Sequence, residues 1–286
     1  MTDSTTLTEQ DKKCAPAKKY ISGSCISLEY LLKIADAYNK HNTNKIDLST
    51  SHEILNPNKY KLYLVKQLKT KIPQCDNQRC WLTQGFMKDL KRDDREDLLA
   101  NTFRPEGPAG KFTWLSTTNI DMVMMQYHEK YPEFQFLGAV PIDVDDLSMY
   151  GIKDLEFGAN NKTKYGVVYN LDEHYKNGSH WVGLYFDIKS GHIYFSDSYG
   201  IAPEKRIVAF INRIAAYLKK NNIKPVIEYN KTQHQQGSSE CGMYSLYFII
   251  SLLEGMSFID ASSKRIPDEF VNKLRDVYFI KKNDKK

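Results

Sequence analysis

The strongest constraint on the fold of this chain is an almost uninterrupted apolar run that follows Cys241 and continues to Leu253. An α-helix that is apolar on nearly every side must be buried, and Gly255 is a typical stop signal just beyond such a helix. The sequence therefore predicts a helix inside the core, with Cys241 at its N-terminus. There, unpaired backbone N–H groups and the helix dipole favour the reactive thiolate form of a cysteine. A lone cysteine is also commonly an inert buried thiol, so this stretch alone leaves both interpretations open.

The composition narrows the class of protein. The chain has 286 residues, 41% of them hydrophobic, which suits one large domain or a catalytic domain with an added arm. Its net charge of +5 is spread without a basic stripe, so we expect no specific nucleic-acid binding. The N-terminus is polar and no apolar run approaches the roughly 20 residues that span a bilayer, so we expect neither a signal peptide nor a membrane segment. The odd number of cysteines, five, then favours an intracellular, reducing compartment.

Polarity and periodicity divide the chain into three parts. Residues 1–20 are polar and rich in lysine, which predicts a disordered lead. Residues 21–95 carry apolar positions at helical spacing in several stretches, which predicts a helical N-terminal arm. Residues 96–286 alternate strand and helix patterns, with hairpins in the middle. This last part is predicted to be an α+β domain with a mixed central sheet flanked by helices.

A predicted β-hairpin brings two polar side chains to one edge of that sheet. Strand patterns cover residues 180–188 and 193–197, and a short turn containing glycine joins them. In an antiparallel hairpin the start of one strand lies opposite the end of the next, so His180 and Asp197 can meet. If the buried helix packs on the sheet, Cys241 faces the same edge. A cysteine protease needs such a set, namely a thiolate, a base and a group that orients the base.

Each member of this set is weak evidence when taken alone. A histidine beside a tryptophan usually only packs on a strand, and an aspartate before a glycine turn usually forms the turn. His174 and His192 compete with His180 as the base, although His192 lies near the hairpin turn and far from Asp197. Gln235 stands six residues before the cysteine, where its amide could stabilise an oxyanion together with a backbone N–H group.

Two closely spaced cysteines raise the question of a metal site. Cys75 and Cys80 are five residues apart, which fits half of a zinc site, but no second cysteine pair supplies the other ligands. We therefore expect two ordinary cysteines that flank a turn, with a disulfide only after exposure to an oxidant. The sequence predicts neither a metal site nor a cofactor.

Four motifs in the same order and at similar spacing resemble the superfamily of cysteine peptidases that act on SUMO and other ubiquitin-like proteins. The motifs are Trp114-Leu115-Ser116, His180-Trp181, Asp197-Ser198-Tyr199-Gly200, and Gln235 with Glu240-Cys241-Gly242. The resemblance covers roughly residues 100–275. It implies that His180, Asp197 and Cys241 are catalytic and that Gln235 belongs to the oxyanion hole.

The resemblance also implies a substrate. In this family the tryptophan at the position of Trp114 covers a narrow tunnel that holds a Gly-Gly end, so Trp114 and Trp181 are expected to bind substrate. Further features are similar to the polyprotein protease of African swine fever virus and its relatives in other large DNA viruses. They are Cys75 with Cys80, Arg104-Pro105 with Gly107-Pro108, His234 before Gln235, and the helical arm. That viral protease has Asn where this chain has Asp197.

The viral branch implies a cysteine endopeptidase that cleaves after Gly-Gly in structural polyproteins during virion maturation. We then expect a monomer that acts in the host cytoplasm, at the viral assembly site, and in the virion. A protease that deconjugates SUMO or ubiquitin is the main alternative. An acetyltransferase and an interaction protein without catalytic activity are two others.

Overall fold

A mixed sheet of five strands forms the centre of the C-terminal part of the chain, from Gly107 to Tyr278, in the computed structural model, with the strand order β1-β2-β3-β4-β5. The strands are β1 (Phe134–Pro141), β2 (Lys164–Asn170), β3 (Trp181–Asp187), β4 (His192–Ser196) and β5 (Val226–Tyr229). The outer pairs β1-β2 and β4-β5 are parallel, whereas β2-β3 and β3-β4 are antiparallel. This arrangement confirms the predicted α+β class with a mixed sheet.

The structure describes residues 9–49, 56–110, 112–147, 152 and 154–281. These residues divide into two compact units. The first unit runs to Glu106 and includes Phe279–Lys281, and the second runs from Gly107 to Tyr278. The boundary lies later than the predicted one between residues 95 and 96, because Leu98 and Phe103 are buried in the core of the first unit.

The first unit is built from short helices around one apolar core. Its α-helices are α1 (Leu28–His41), α2 (Pro57–Lys71), α3 (Gln78–Trp81) and α4 (Arg92–Asn101), and Gly85–Asp89 is a 3₁₀ helix. Ser27 caps α1 by accepting a hydrogen bond from the Tyr30 N–H group, and Asn56 caps α2 directly before a proline.

The N-terminal lead differs from the sequence prediction. Residues 1–8 lie outside the described residues, but residues 9–20 are not the disordered segment that their polarity predicts. Glu9–Lys12 forms a 3₁₀ helix, and the buried Asp11 carboxylate accepts a hydrogen bond from the Gln78 N–H group at 2.7 Å. Cys14 is bonded to Cys25 in a disulfide. The lead is therefore anchored by contacts with distant residues, which composition does not reveal.

The remaining cysteines also depart from the sequence prediction. Cys75 and Cys80 form a second disulfide, with Cα atoms 5.4 Å apart, so the expectation of two ordinary thiols flanking a turn is wrong. The odd cysteine count reflects two disulfides and one free thiol, that of Cys241. No group of three or more potential ligands suited to a metal ion occurs among the described residues.

Helices cover both faces of the sheet in the second unit. They are α5 (Thr117–Met125), α6 (Tyr127–Lys130), α7 (Lys205–Lys220), α8 (Cys241–Leu253), α9 (Phe258–Ser262), α10 (Asp268–Lys273) and α11 (Arg275–Tyr278). The apolar side of α7 joins Val182, Leu184 and Phe186 of β3 in one core. Successive strand residues face opposite sides, so the other face of β3 receives α8, with Gly183 against Phe248.

Helix α8 is the buried helix predicted from the apolar run. It begins at Cys241, and all of its residues except Tyr247 are buried. It ends at Leu253, and Gly255 follows with φ of +92°, the left-handed conformation that terminates many helices. Within the described ranges, no helix combines the length and apolarity needed to cross a bilayer.

Candidate active site

The hairpin β3-β4 places His180 beside Asp197. His180 directly precedes β3 and Asp197 directly follows β4, so both stand at the same end of the antiparallel pair. The His180 Nε2 atom lies 2.8 Å from the Asp197 Oδ1 atom. The carboxylate is almost fully buried, with 3% of its side chain exposed, while 12% of the His180 side chain reaches solvent. A buried carboxylate of this kind orients an imidazole ring and stabilises its positive charge.

Cys241 completes the group at the N-terminus of α8. Burial lowers the pKa of His180, but hydrogen bonds to Asp197 and Cys241 and the negative charges of both outweigh it and raise the pKa to about 9. Because Nε2 is bonded to Asp197, the other ring nitrogen, Nδ1, is the one left for the thiol. The Cys241 N–H group is in the first turn of the helix, where backbone N–H groups have no partner within the helix.

Two residues that the sequence analysis did not single out hold this pair in place. The Asp197 N–H group donates to Asn230 Oδ1 at 2.9 Å, and Asn230 Nδ2 donates to the Asp197 carbonyl at 2.7 Å. The ring of Tyr199 stacks on the His180 ring with centroids 4.9 Å apart, and the Tyr199 N–H group donates to Asp197 Oδ1. Asn230 lies in none of the recognised motifs. Its position directly after the strand pattern of β5 is the sequence feature that could have pointed to it.

The side chain of Gln235 is fully buried and is held at both ends of its amide. Its Oε1 atom accepts a hydrogen bond from Ser198 Oγ at 2.7 Å, and its Nε2 atom donates to the Gly237 carbonyl at 3.0 Å. A primary amide nitrogen carries two hydrogens, so one N–H group remains for a ligand. Ser198 therefore orients the Gln235 amide. The sequence analysis included Ser198 in the motif Asp197-Ser198-Tyr199-Gly200 but assigned it no role.

The two tryptophans flank a short segment that packs on the start of α8. Trp181 is buried, and its Nε1–H group donates to the Leu115 carbonyl at 2.9 Å. Trp114, which directly precedes Leu115 in the sequence, is 42% exposed. A Cβ atom added to Gly242 would lie 3.0 Å from Leu115 Cβ, so glycine permits this close approach. Leu115 therefore links Trp181 to the first turn of the helix that carries Cys241.

Both tryptophans line an open cleft of about 450 Å³. The loop between β2 and β3 forms its other wall, with residues that include Asp172 and His174. His174, one of the two competing bases, pairs through Nδ1 with Asp143 at 2.7 Å rather than with Asp197. The other, His192, stands opposite Asp187 in the β3-β4 ladder, at the far end of the hairpin from Asp197.

Comparison with known proteins identifies the family of the chain. Residues 172–285 match the profile described as the Ulp1 protease family, C-terminal catalytic domain. The chain is 34% identical over 270 residues to a protein assigned as a thiol protease in Acanthamoeba polyphaga mimivirus, covering 90% of this chain and 89% of that protein. It is 26% identical over 226 residues to the SUMO-1 cysteine protease of African swine fever virus, covering 72% and 83%.

The fold is also that of a solved structure. A crystal structure of the African swine fever virus protease superposes with a TM-score of 0.62 at 22% sequence identity, covering 85% of this chain and 95% of that one. The likeness confirms the fold, and the match to the mimivirus protein extends over nearly the whole length of both chains. The chain therefore belongs to the Ulp1 family of cysteine peptidases, in a group that includes proteases of large DNA viruses.

Proposed function

We propose that this cysteine peptidase cleaves after a Gly-Gly pair and processes structural polyproteins of a large DNA virus. The observation that carries the proposal is the hydrogen bond between His180 and the buried Asp197 at the end of the hairpin that faces a buried helix beginning at Cys241, whose charge helps to raise the pKa of His180. The relatives in mimivirus and African swine fever virus support a viral role. With that role we propose a monomer that acts at the viral assembly site in the host cytoplasm and in the virion.

The proposed mechanism assigns one step to each group. His180 takes the proton of the Cys241 thiol, and Asp197 holds the resulting imidazolium. The thiolate attacks the carbonyl carbon of the second glycine, and the oxyanion is held by Gln235 Nε2 and the Cys241 N–H group. His180 then protonates the leaving amine, which releases the C-terminal product and leaves a thioester. Water attacks the thioester while His180 accepts its proton, so that the carboxylate product leaves and the thiolate is restored.

The preference for glycine rests on the tryptophans. Trp181 is fixed by its hydrogen bond to the Leu115 carbonyl, and Trp114 stands on the other side of that leucine. In this proposal the residues that precede the cleaved bond pass between the two indole rings. A residue without a side chain suits such a passage, whereas a Cβ atom would have to displace a ring that is buried or hydrogen-bonded.

A second candidate is a protease that removes SUMO or ubiquitin from conjugates. The name of the African swine fever virus relative, SUMO-1 cysteine protease, favours it. The family assignment gives no support to the other two alternatives, an acetyltransferase and an interaction protein without catalytic activity.

The test is a cleavage screen with the full chain. Gly-Gly-X peptides, matched peptides with alanine at either glycine, and intact SUMO and ubiquitin precursors are incubated with equal amounts of enzyme, and products are identified by mass spectrometry. We expect cleavage after Gly-Gly in short peptides and loss of cleavage when either glycine is alanine. Cleavage of the intact precursors alone would favour deconjugation, and cleavage of none would refute both candidates.

Replacing Gln235 by alanine should lower kcat for a Gly-Gly-X peptide by roughly 10²–10³-fold, since removal of one oxyanion donor has that cost. Gln236→Ala is the matched control, because Gln236 is the next residue, is also a glutamine and is exposed. Steady-state kinetics of both variants checks the prediction. Equal kcat values for the two variants would remove Gln235 from the proposed oxyanion hole.

The rate should also depend on pH through His180. Its pKa of about 9 lies above the ordinary value for histidine, so the imidazolium that protonates the leaving amine persists through neutral pH and is lost as pH rises through about 9. We therefore expect kcat/KM to fall above about pH 9. In Asp197→Ala the missing negative charge should move this alkaline limb to lower pH by about one unit or more. Profiles of kcat/KM against pH measure both effects, and an unmoved limb would contradict the assignment to His180.

A further inference from the structure

The segment between Gln235 and Cys241 is held by a side chain from outside the recognised motifs. Asp268, the first residue of α10, accepts a hydrogen bond from the Gly237 N–H group at 2.8 Å through Oδ2. The same oxygen accepts from the Gln236 N–H group at 3.1 Å. Hydrogen bonds to a carboxylate are shorter and stronger than those to neutral acceptors, so they fix the backbone at this point.

Gly237 is also held at its other polar group. Its carbonyl accepts hydrogen bonds from Gln235 Nε2 at 3.0 Å and from the Tyr199 hydroxyl at 3.3 Å. A Cβ atom at this position would lie 2.5 Å from Glu240 Oε2, so any other residue would have to displace the Glu240 carboxylate. Asp268 therefore acts on the Gln235 amide through one intervening residue.

Asp268 is connected to the nucleophile's helix as well. The Tyr244 hydroxyl, three residues after Cys241, lies 2.7 Å from Asp268 Oδ1 and 2.8 Å from the Ile266 carbonyl. Burial and the neighbouring carboxylate both raise the pKa of Tyr244, so the hydroxyl keeps its proton and remains a donor. Through its two oxygens, Asp268 joins the segment that precedes Cys241 to the first turn of α8.

We propose that Asp268 is a positioning residue for the oxyanion hole. Its carboxylate fixes the Gly237 N–H group, the Gly237 carbonyl fixes Gln235 Nε2, and the remaining N–H of that amide is thereby aimed at the oxyanion. The inference rests on the proposed function, because it assigns Asp268 a role only in acyl transfer. An asparagine at position 268 keeps the size of the side chain and one acceptor oxygen but removes the negative charge, so the hydrogen bonds from the Gly237 and Gln236 N–H groups become weaker, and its NH₂ group cannot accept a hydrogen bond from Tyr244.

The test compares Asp268→Asn with Glu269→Gln, a control that neutralises the neighbouring exposed carboxylate, which pairs with Lys273 on the same helix. In Asp268→Asn we expect kcat for a Gly-Gly-X peptide to fall roughly 3- to 10-fold, since the hydrogen bonds that hold Gly237 lose their charge assistance, with KM nearly unchanged. Asp268→Glu keeps the charge and should recover part of kcat. Tyr244→Phe, which keeps the carboxylate but removes one donor, should lose less than Asp268→Asn.

A second readout separates positioning from general damage. Alkylation of Cys241 by iodoacetamide needs the thiolate but forms no oxyanion, so its rate in Asp268→Asn should stay close to that of the wild type. Parallel loss of alkylation and cleavage would overturn the inference, and so would equal kcat values in Asp268→Asn and Glu269→Gln. If the wild type cleaves no Gly-Gly-X peptide, the proposed function fails and takes the inference with it. Wild-type cleavage combined with an unaffected Asp268→Asn variant overturns the inference alone.

Discussion

Cys241→Ala should abolish cleavage of Gly-Gly-X peptides, with a loss in kcat of roughly 10⁴-fold or more, as when other covalent nucleophiles are removed. The physical reason is that alanine has no thiol and cannot form the thioester. Cys241 is the cysteine assigned as the nucleophile, because the four remaining cysteines are held in two disulfides. Steady-state kinetics and labelling with a Gly-Gly vinyl probe measure the loss.

The fold of this variant provides the control. Cys241 is buried in the first turn of α8, and alanine removes only its Sγ atom, so the thermal unfolding midpoint should stay near that of the wild type. The wild type should take up one vinyl probe per chain and the variant none. Labelling of Cys241→Ala, or more than a tenth of the wild-type activity, would show that another group is the nucleophile.

Much of the site follows from local patterns. The apolar run after Cys241 demands a buried helix, and α8 begins at that residue. Two strand patterns joined by a short turn demand a hairpin, and the hairpin's ends bring His180 and Asp197 within 2.8 Å. These features depend on periodicity and on the pairing of neighbouring strands, which act over short distances along the chain.

The features that the sequence analysis missed depend on contacts between distant residues. Asn230 reaches Asp197 across 33 residues, and Asp268 reaches Gly237 across 31. Both are single polar side chains in segments whose apolar pattern says nothing about hydrogen bonds. The disulfide between Cys14 and Cys25 orders a lead that composition predicts to be disordered. Such pairings are set by tertiary structure, so one sequence alone does not reveal them.

His180→Ala should lower kcat/KM for a Gly-Gly-X peptide by roughly 10⁴-fold or more, because it removes the group that both accepts the thiol proton and protonates the leaving amine. The chain contains a matched control in His174, which also pairs with a carboxylate, that of Asp143, at nearly the same distance. His174 lines the cleft, but its hydrogen-bond partner is Asp143, whereas that of His180 is Asp197. His174→Ala should therefore keep kcat within about threefold of the wild type.

The two variants together decide which histidine is the base. In His180→Ala the alkaline limb of the pH profile should disappear with the imidazolium, and iodoacetamide should react with Cys241 more slowly at neutral pH because no base holds its proton. In His174→Ala both properties should remain those of the wild type. A large loss of kcat in His174→Ala with an active His180→Ala would move the catalytic pair to His174 and Asp143. That result would also require a rearrangement of the hairpin, since Asp197 is hydrogen-bonded to His180, whereas His174 is hydrogen-bonded to Asp143.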